Sequence, residues 1–265
     1  TQTIGSIIRP ASYCGIVGFK TSFDHLPTDG IVFFSRSLDH AGFFCLSVAE
    51  AKSVFDAITL RAAPAKIPRR EVFRLAVPEG AYLRQAGSEM REHLEKSLAA
   101  LAGKPDFEVI RVRCLDAVES LNFRHLALAS AEFSLEHVRW FDTFEALYRP
   151  RTAACIREGR KAGPRAIEKG KRSQRELREM LLELMAEYEI DAWACPSAVG
   201  EADKGLAFTG SPVMNLPWTH AGLPALSLPM GFGRQGLPLG MQLVGAFGED
   251  SALLETAEAV EKAME

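Results

Sequence analysis

Short apolar runs alternate along this chain with longer stretches in which apolar residues recur every three or four positions. The runs predict strands at Phe73–Val77, Phe107–Val112, Asp191–Cys195, Ala225–Pro229 and Met241–Val244. The periodic stretches predict amphipathic helices at Val48–Leu60, Glu89–Leu101 and Ser251–Met264. Such alternation is typical of the α/β fold class, in which helices cover a sheet.

The composition is that of a globular protein. Of the 265 residues, 47% are hydrophobic and 25% are charged. No apolar run approaches the roughly 20 residues of a membrane span, so we expect no membrane association. The absence of a Cys-x-x-Cys pair favours a reducing, cytoplasmic location for the five scattered cysteines Cys14, Cys45, Cys114, Cys155 and Cys195. Because the chain opens with Thr1-Gln2-Thr3 rather than methionine, we expect a fragment whose upstream part is absent.

One stretch departs from the even charge balance. Between Arg149 and Arg178 there are eleven basic and three acidic residues, a net charge of +8, so that the remainder carries −11 within the total of −3. We assign this stretch to a helical segment at about residues 126–188. A basic stripe can bind RNA or another polyanion, and such binding weakens steeply with salt. Because the stretch lacks interleaved aromatic residues for base stacking, we favour a solvated helix face and expect no nucleic-acid partner.

The first residues of the chain carry the most chemical information. Gly5-Ser6 precedes Ile7-Ile8, which predicts a turn that enters an apolar element, with Ser6 as a turn former or helix cap. The same geometry also suits a nucleophile, because successive backbone N–H groups in a tight glycine turn can converge on a carbonyl oxygen. Ser6 is therefore a candidate nucleophile beside a candidate oxyanion hole.

A wider set of motifs resembles the amidase signature family. The first twenty residues, TQTIGSIIRPASYCGIVGFK, are similar to the second half of that signature. Further matches follow in the family's order at Ser37-Leu38-Asp39-His40, Ala194-Cys195-Pro196-Ser197, Thr209-Gly210, residues 221–225, residues 236–245 and Glu249-Asp250. Several ordered motifs are more specific than any single one. The resemblance implies that residues 1–265 form the C-terminal portion of an amidase-signature domain, with α/β/α layers around a mixed, twisted sheet.

The resemblance also implies a chemistry, which is amide hydrolysis by a Ser-cis-Ser-Lys triad. Ser6 occupies the nucleophile position, and the backbone N–H groups of Thr3, Ile4, Gly5 and Ser6 form the oxyanion hole. In this mechanism a neutral lysine, relayed by a second serine, removes the proton of the nucleophile. Both helpers lie upstream of the nucleophile in the family, so we expect this chain alone to be inactive. A small-molecule amide substrate, no cofactor and a possible homo-oligomer are implied.

Three positions depart from the signature. Ile4 stands where relatives usually carry glycine, and it suits an oxyanion hole only if its φ is negative, because positive φ strains a side chain of this shape. The arginine of the motif comes one residue late, as Arg9 after Ile8. Gln2 stands where many relatives carry aspartate, which favours the small-molecule amidases over the tRNA-dependent amidotransferase subunits.

The substrate pocket is predicted from its position before Gly222-Leu223-Pro224-Ala225, because in relatives this segment lines the acyl channel. Ungapped counting places Pro212, Leu216, Trp218 and Thr219 near the substrate. Trp218 as a pocket wall would favour aromatic or aliphatic acyl groups, whereas Trp218 in the core would leave the substrate preference unchanged. The six histidines show no metal-ligand spacing, so no metal site is expected.

Two classes of function are therefore weighed. The first is an amidase that acts on linear amides by acyl transfer to Ser6. The alternative is a non-catalytic remnant or binding subunit that keeps the amidase fold while chemistry is supplied elsewhere or lost. An upstream lysine together with a Gly-Ser-Ser-type loop would distinguish the enzyme from the alternative.

Overall fold

A computed structural model of the chain describes residues 1–59 and 71–265. Seven strands form one sheet in these residues: β1 (Val17–Lys20), β2 (Gly42–Cys45), β3 (Phe73–Glu79), β4 (Phe107–Arg113), β5 (Ala192–Pro196), β6 (Ala225–Phe232) and β7 (Pro238–Val244). Their order is β2-β1-β6-β7-β5-β3-β4. The pairs β3–β4 and β3–β5 are parallel, and the other four pairs are antiparallel. The sheet is therefore mixed, as predicted.

The helices of the described residues connect and cover these strands. They are α1 (Ile8–Cys14), α2 (Val48–Thr59), α3 (Ala81–Arg84), α4 (Ser88–Ala102), α5 (Val118–Glu136), α6 (Phe141–Phe144), α7 (Pro150–Glu187), α8 (Leu216–Ala221) and α9 (Asp250–Met264). A 3₁₀ turn follows α6 at Glu145–Leu147. The three predicted helices coincide with α2, α4 and α9, and the predicted end of the first at Leu60 lies outside the described residues.

Helices cover both faces of the sheet. Successive residues of a strand point to opposite faces. On β1, Gly18 faces α1, where an added Cβ would lie 2.5 Å from the Cβ of Ala11. The next residue, Phe19, packs edge-to-face on Phe55 of α2, with ring centroids 5.6 Å apart. Because α9 packs on both α2 and α4, these three helices form one layer opposite α1. The predicted α/β/α arrangement is confirmed.

The five predicted strands are all present, but β1 and β2 escape prediction from the pattern. Each has only four residues, and every residue of β1 is buried, so no alternation of apolar and polar positions marks it. α1 also escapes prediction, because Pro10 and the small residues that follow mask its period. One of these missed elements, α1, begins two residues after the candidate nucleophile and packs on β1, β6 and β7.

The basic stretch forms most of α7, which packs along α5. α7 bends at Gly163, where φ is +66° and proline follows. Acidic side chains lie within 4 Å of five of its cations, in the pairs Arg157–Glu145, Arg160–Asp142, Lys161–Glu158, Lys171–Glu132 and Arg172–Glu176. Within residues 1–59 and 71–265, no helix combines the length and the apolar character that crossing a membrane demands.

Candidate active site

Ser6 lies in the loop that leads into α1, and its side chain is exposed. Residues 1–7, which we call the nucleophile loop, are anchored at Gln2. The backbone N–H of Gln2 donates to the carbonyl of His40, and the N–H of His40 donates to the carbonyl of Gln2, both at 2.9 Å. The nucleophile loop is therefore fixed between the segment before β2 and the start of α1.

The side chain of Gln2 is fully buried, and its amide makes hydrogen bonds with both the start of α1 and Thr219 of α8. Its Oε1 accepts hydrogen bonds from the N–H groups of Ile7 at 2.7 Å and Ile8 at 3.0 Å. N–H groups at the start of a helix have no partner within the helix, so this carbonyl caps α1. At the other end, Nε2 of Gln2 donates to Oγ1 of Thr219 at 2.9 Å, and that hydroxyl donates to the carbonyl of Ile4 at 2.7 Å.

Asp39 fixes the other side of the loop. Its Oδ1 accepts a hydrogen bond from the hydroxyl of Thr3 at 2.5 Å. Its Oδ2 accepts from the N–H groups of Phe34 at 2.6 Å and Ser35 at 3.2 Å. The sequence predicts a structural role for Asp39 at a turn, but it does not show which groups its carboxylate contacts. In the structure, Asp39 links the nucleophile loop to the turn before β2.

The backbone N–H groups around Ser6 are available to a ligand. Within the described residues, those of Thr3, Ile4, Gly5 and Ser6 donate to no other group of the chain, whereas those of Gln2, Ile7, Ile8 and Arg9 all have acceptors. The described non-glycine residues with positive φ are Asp24, Leu115 and Glu189, so Ile4 has a negative φ. An isoleucine therefore fits this position without the strain that a positive φ would impose.

A cavity of about 560 Å³ opens beside Ser6. Arg9 and Tyr13 of α1 line one side, and residues of the 202–209 segment, including Asp203 and Phe208, line the other. Burial lowers the pKa of the Arg9 guanidinium and raises the pKa of the Tyr13 phenol. Within the described residues no carboxylate lies within 4 Å of Arg9, whose Nη2 donates a long hydrogen bond to Thr209 at 3.4 Å.

None of the four residues predicted to line the substrate pocket lines the cavity beside Ser6. Leu216 and Trp218 are buried in the hydrophobic core. Thr219 is fully buried, with its hydroxyl engaged by Gln2 and Ile4. Pro212 is the exception in position, since its Cβ lies 3.1 Å from where a Cβ on Gly5 would be. α8 directs Leu216 and Trp218 into the core and Thr219 toward the nucleophile loop.

The lysine and histidine side chains of the described residues, which are the candidate bases for Ser6, do not line its cavity. Lys20 is fully buried, and its ammonium donates to the carbonyls of Thr21 and Leu223. Burial lowers the pKa of Lys20 to about 7. The described residues that line the cavity include no lysine and no histidine. An amine or imidazole that could accept the Ser6 proton is therefore not supplied at the cavity by the described part of the chain.

Three buried histidines lie behind the nucleophile loop. Nδ1 of His125 lies 3.2 Å from Nδ1 of His220, and Nε2 of His220 lies 3.1 Å from Oγ of Ser173. Burial, together with the proximity of His220, lowers the pKa of His125 to about 3. Burial and Arg124 lower the pKa of His220 to about 3. Burial lowers the pKa of His40 well below its usual value.

These lowered pKa values predict acid destabilisation. The unfolded chain protonates the three histidines as the pH falls through about 6.5, whereas the folded chain keeps them neutral, so the free energy of unfolding falls with pH. We expect a loss of about 3–4 kcal/mol between pH 7.5 and pH 5.5, measured by urea unfolding. His125→Gln or His220→Gln should reduce this loss, and His93→Gln, at a partly exposed position, should not. A stability that is constant over this range would contradict the prediction.

Comparisons with known proteins identify the family of this chain. The family model Amidase matches residues 1–254. The A subunit of glutamyl-tRNA(Gln) amidotransferase from Synechococcus sp. (strain WH7803) is 28% identical over 99% of this chain and 63% of the relative. Its counterpart from Granulibacter bethesdensis is 28% identical over 99% of this chain and 61% of the relative. The chain thus spans less than two thirds of the length of these relatives.

Solved structures show the same fold. A crystal structure described as an amidase superposes with a TM-score of 0.86 at 25% identity, covering 98% of this chain and 61% of the other. The peptide amidase from Stenotrophomonas maltophilia superposes with a TM-score of 0.75 at 22% identity, covering 99% and 61%. Since the family model covers nearly the whole chain, the chain belongs to the amidase family. The resemblance inferred from the motifs is confirmed.

Proposed function

We propose that this chain carries the nucleophile and the oxyanion hole of an amidase that hydrolyses linear amides. The hydroxyl oxygen of Ser6 forms a bond to the amide carbonyl carbon, and the carbon–nitrogen bond then breaks, releasing the amine with a proton. Water next attacks the acyl-enzyme, which releases the carboxylic acid and restores the Ser6 hydroxyl. The proposal needs no cofactor.

One observation carries the proposal. An exposed serine stands at the mouth of a cavity, in a turn whose consecutive backbone N–H groups have no acceptor among the described residues. Backbone N–H groups that are free of other acceptors can stabilise the negative charge that develops on a carbonyl oxygen in the transition state. The family to which the chain belongs supports the same chemistry.

The base is proposed to come from outside the chain. A serine hydroxyl is a weak nucleophile until a neighbouring group takes its proton. The described cavity residues offer no amine or imidazole, and Lys20 is engaged with two carbonyls. We propose a lysine and a bridging cis-serine, as in the amidase signature mechanism, on residues that this chain does not contain. The identity of Gln2 supports a branch of small-molecule amidases, and the free, scattered cysteines support a cytoplasmic location.

Residues 1–265 alone should therefore be inactive on simple amides, because the Ser6 hydroxyl stays protonated near neutral pH. The measurement is ammonia release from aliphatic and aromatic primary amides by the purified, folded chain and by the full-length natural protein. Turnover by residues 1–265 that disappears with Ser6→Ala would overturn the proposed external base. A full-length protein without any amide turnover would favour the non-catalytic alternative, a remnant or binding subunit with the amidase fold.

The relatives named as A subunits of an amidotransferase also support a role within a larger assembly. A homo-oligomer is the simpler form of such an assembly. Sedimentation of the full-length protein, alone and in lysate of its source cells, separates a self-associating enzyme from one that needs a different protein partner.

A further inference from the structure

A hydrogen bond joins Thr219 to Ile4 of the nucleophile loop, although the two residues are 215 positions apart in the sequence. Thr219 lies on α8 and is fully buried. Its hydroxyl donates to the carbonyl of Ile4 at 2.7 Å. That carbonyl belongs to the peptide group between Ile4 and Gly5. The bond therefore acts on the backbone directly before the proposed nucleophile.

Gln2 fixes the direction of that hydroxyl. The N–H groups of Ile7 and Ile8 can only donate, so the oxygen of the Gln2 amide must face them and its NH₂ group must face Thr219. An NH₂ group can only donate, so the Thr219 oxygen accepts from Gln2. The single hydroxyl proton of Thr219 is then free to point to the carbonyl of Ile4. The hydrogen bonds therefore run in one direction, from Gln2 to Thr219 and from Thr219 to Ile4, and only neutral groups determine that direction.

The orientation of the Ile4 carbonyl determines that of the Gly5 N–H. A peptide group is planar and trans, so its C=O and N–H point in opposite directions. With the Ile4 carbonyl held toward α8, the Gly5 N–H points away from α8. The Cα of Gly5 also packs closely against Asn215, the residue before α8, since a Cβ at Gly5 would collide with its Oδ1. Rotation of this peptide group is therefore opposed by both a hydrogen bond and packing.

We propose that Thr219, held in place by Gln2, is a positioning residue that aims the Gly5 N–H at the substrate carbonyl oxygen. The proposal rests on Ser6 being the nucleophile. It replaces the predicted place of Thr219 in the substrate pocket, because a fully buried hydroxyl with both of its functions engaged cannot contact the acyl group. The pair acts on the transition state, in which the carbonyl oxygen becomes charged, more than on substrate binding.

The test uses Thr219→Val in the full-length natural protein, because valine keeps the shape of threonine and removes only the hydroxyl. We expect kcat to fall about 10- to 100-fold while KM changes by less than about threefold, since a misdirected oxyanion donor weakens transition-state binding. Thr219→Ser keeps the hydroxyl and should restore most of the turnover. An unchanged kcat for Thr219→Val, or an equal loss for Thr219→Ser, overturns the proposal.

Thr256→Val is the matched control. Thr256 is also buried, and its hydroxyl donates to a backbone carbonyl, that of Ala252 at 3.0 Å within α9. α9 lies in the layer opposite α1. The substitution makes the same change of side chain and removes a hydroxyl-to-carbonyl hydrogen bond, whereas Thr219→Val also breaks the bond from Gln2, so Thr256→Val should cost less stability and leave kcat unchanged. If kcat falls as much in Thr256→Val as in Thr219→Val, the loss in Thr219→Val results from general destabilisation, and the proposal is overturned.

A second variant keeps the test valid if Thr219→Val does not fold. Gln2→Glu retains the oxygen that caps α1, but as a carboxylate it cannot donate to Thr219. The Thr219 proton is then drawn to the introduced carboxylate and away from Ile4, and protonation of that group at lower pH restores the donor. We expect kcat of this variant to rise as the pH falls toward the pKa of the carboxyl, relative to the unmodified protein. Parallel pH profiles overturn the proposal.

Failure of the proposal is distinguishable from failure of the proposed function. A fluorophosphonate probe reports on Ser6 directly in the unmodified protein. Absence of labelling there contradicts Ser6 as the nucleophile and leaves Thr219 with no reaction to serve. Labelling of Ser6 at equal rates in the unmodified protein and in Thr219→Val contradicts only the positioning role.

Discussion

Replacing Ser6 with alanine is expected to lower amide turnover by the full-length natural protein by roughly 10⁴- to 10⁶-fold, as in serine hydrolases that lose their nucleophile. The side chain is exposed at the cavity, so its removal leaves the packing of the nucleophile loop intact. The loop is held by Gln2 and Asp39, whose hydrogen bonds do not involve the Ser6 hydroxyl. The effect should therefore fall on kcat with little change in the free energy of unfolding.

The measurement combines steady-state turnover with labelling by a fluorophosphonate probe and mapping of the modified peptide. Ser6 should be the only residue of this chain that forms the covalent adduct. Ser12→Ala is the matched control, because Ser12 lies on α1, is buried, and its hydroxyl has no hydrogen-bond partner among the described residues. Labelling that persists in Ser6→Ala would assign the nucleophile to another residue.

Replacing Trp218 with alanine is expected to lower the free energy of unfolding by about 3–5 kcal/mol, the usual loss for a deleted core aromatic residue. Trp218 is fully buried, and its Nε1 donates to the hydroxyl of Tyr82 at 2.8 Å. Its ring packs edge-to-face on Tyr82 with centroids 5.5 Å apart and lies 5.9 Å from the ring of Trp193. Alanine would leave a cavity and remove a hydrogen bond at the same position.

Urea unfolding measures the stability of Trp218→Ala, and turnover of aliphatic and aromatic amides by the full-length protein measures its substrate preference. Trp140→Ala is the control, since Trp140 is 51% exposed and its truncation should cost less than about 1 kcal/mol. We expect the substrate preference of Trp218→Ala to match that of the unmodified protein. A shifted substrate preference with little loss of stability would show that Trp218 lines the substrate pocket rather than the core.

The sequence predicts a nucleophile and an oxyanion hole at residues 3–6, but it does not predict the residues that hold them in place. Ser6 and the N–H groups of residues 3–6 follow from a local motif, because a tight turn places neighbouring backbone groups together without help from distant residues. Thr219 lies 213 positions after Ser6, and nothing in its local pattern marks it as a partner of that turn. Gln2 stands out in the sequence only as a departure from the usual aspartate, and its hydrogen bonds to Ile7, Ile8 and Thr219 are visible only in the structure.

Sequence alone determined the α/β class, the family and the five strands with regular patterns, because period and motif are local properties that survive without tertiary contacts. Only the tertiary structure decided where β1 and β2 lie, since strands of four residues gain their hydrogen bonds from neighbours rather than from a pattern. It also decided that Trp218 belongs to the core and Arg9 to the cavity. Which face of an element meets the core depends on the packing of distant segments, and this packing is set by the whole chain at once.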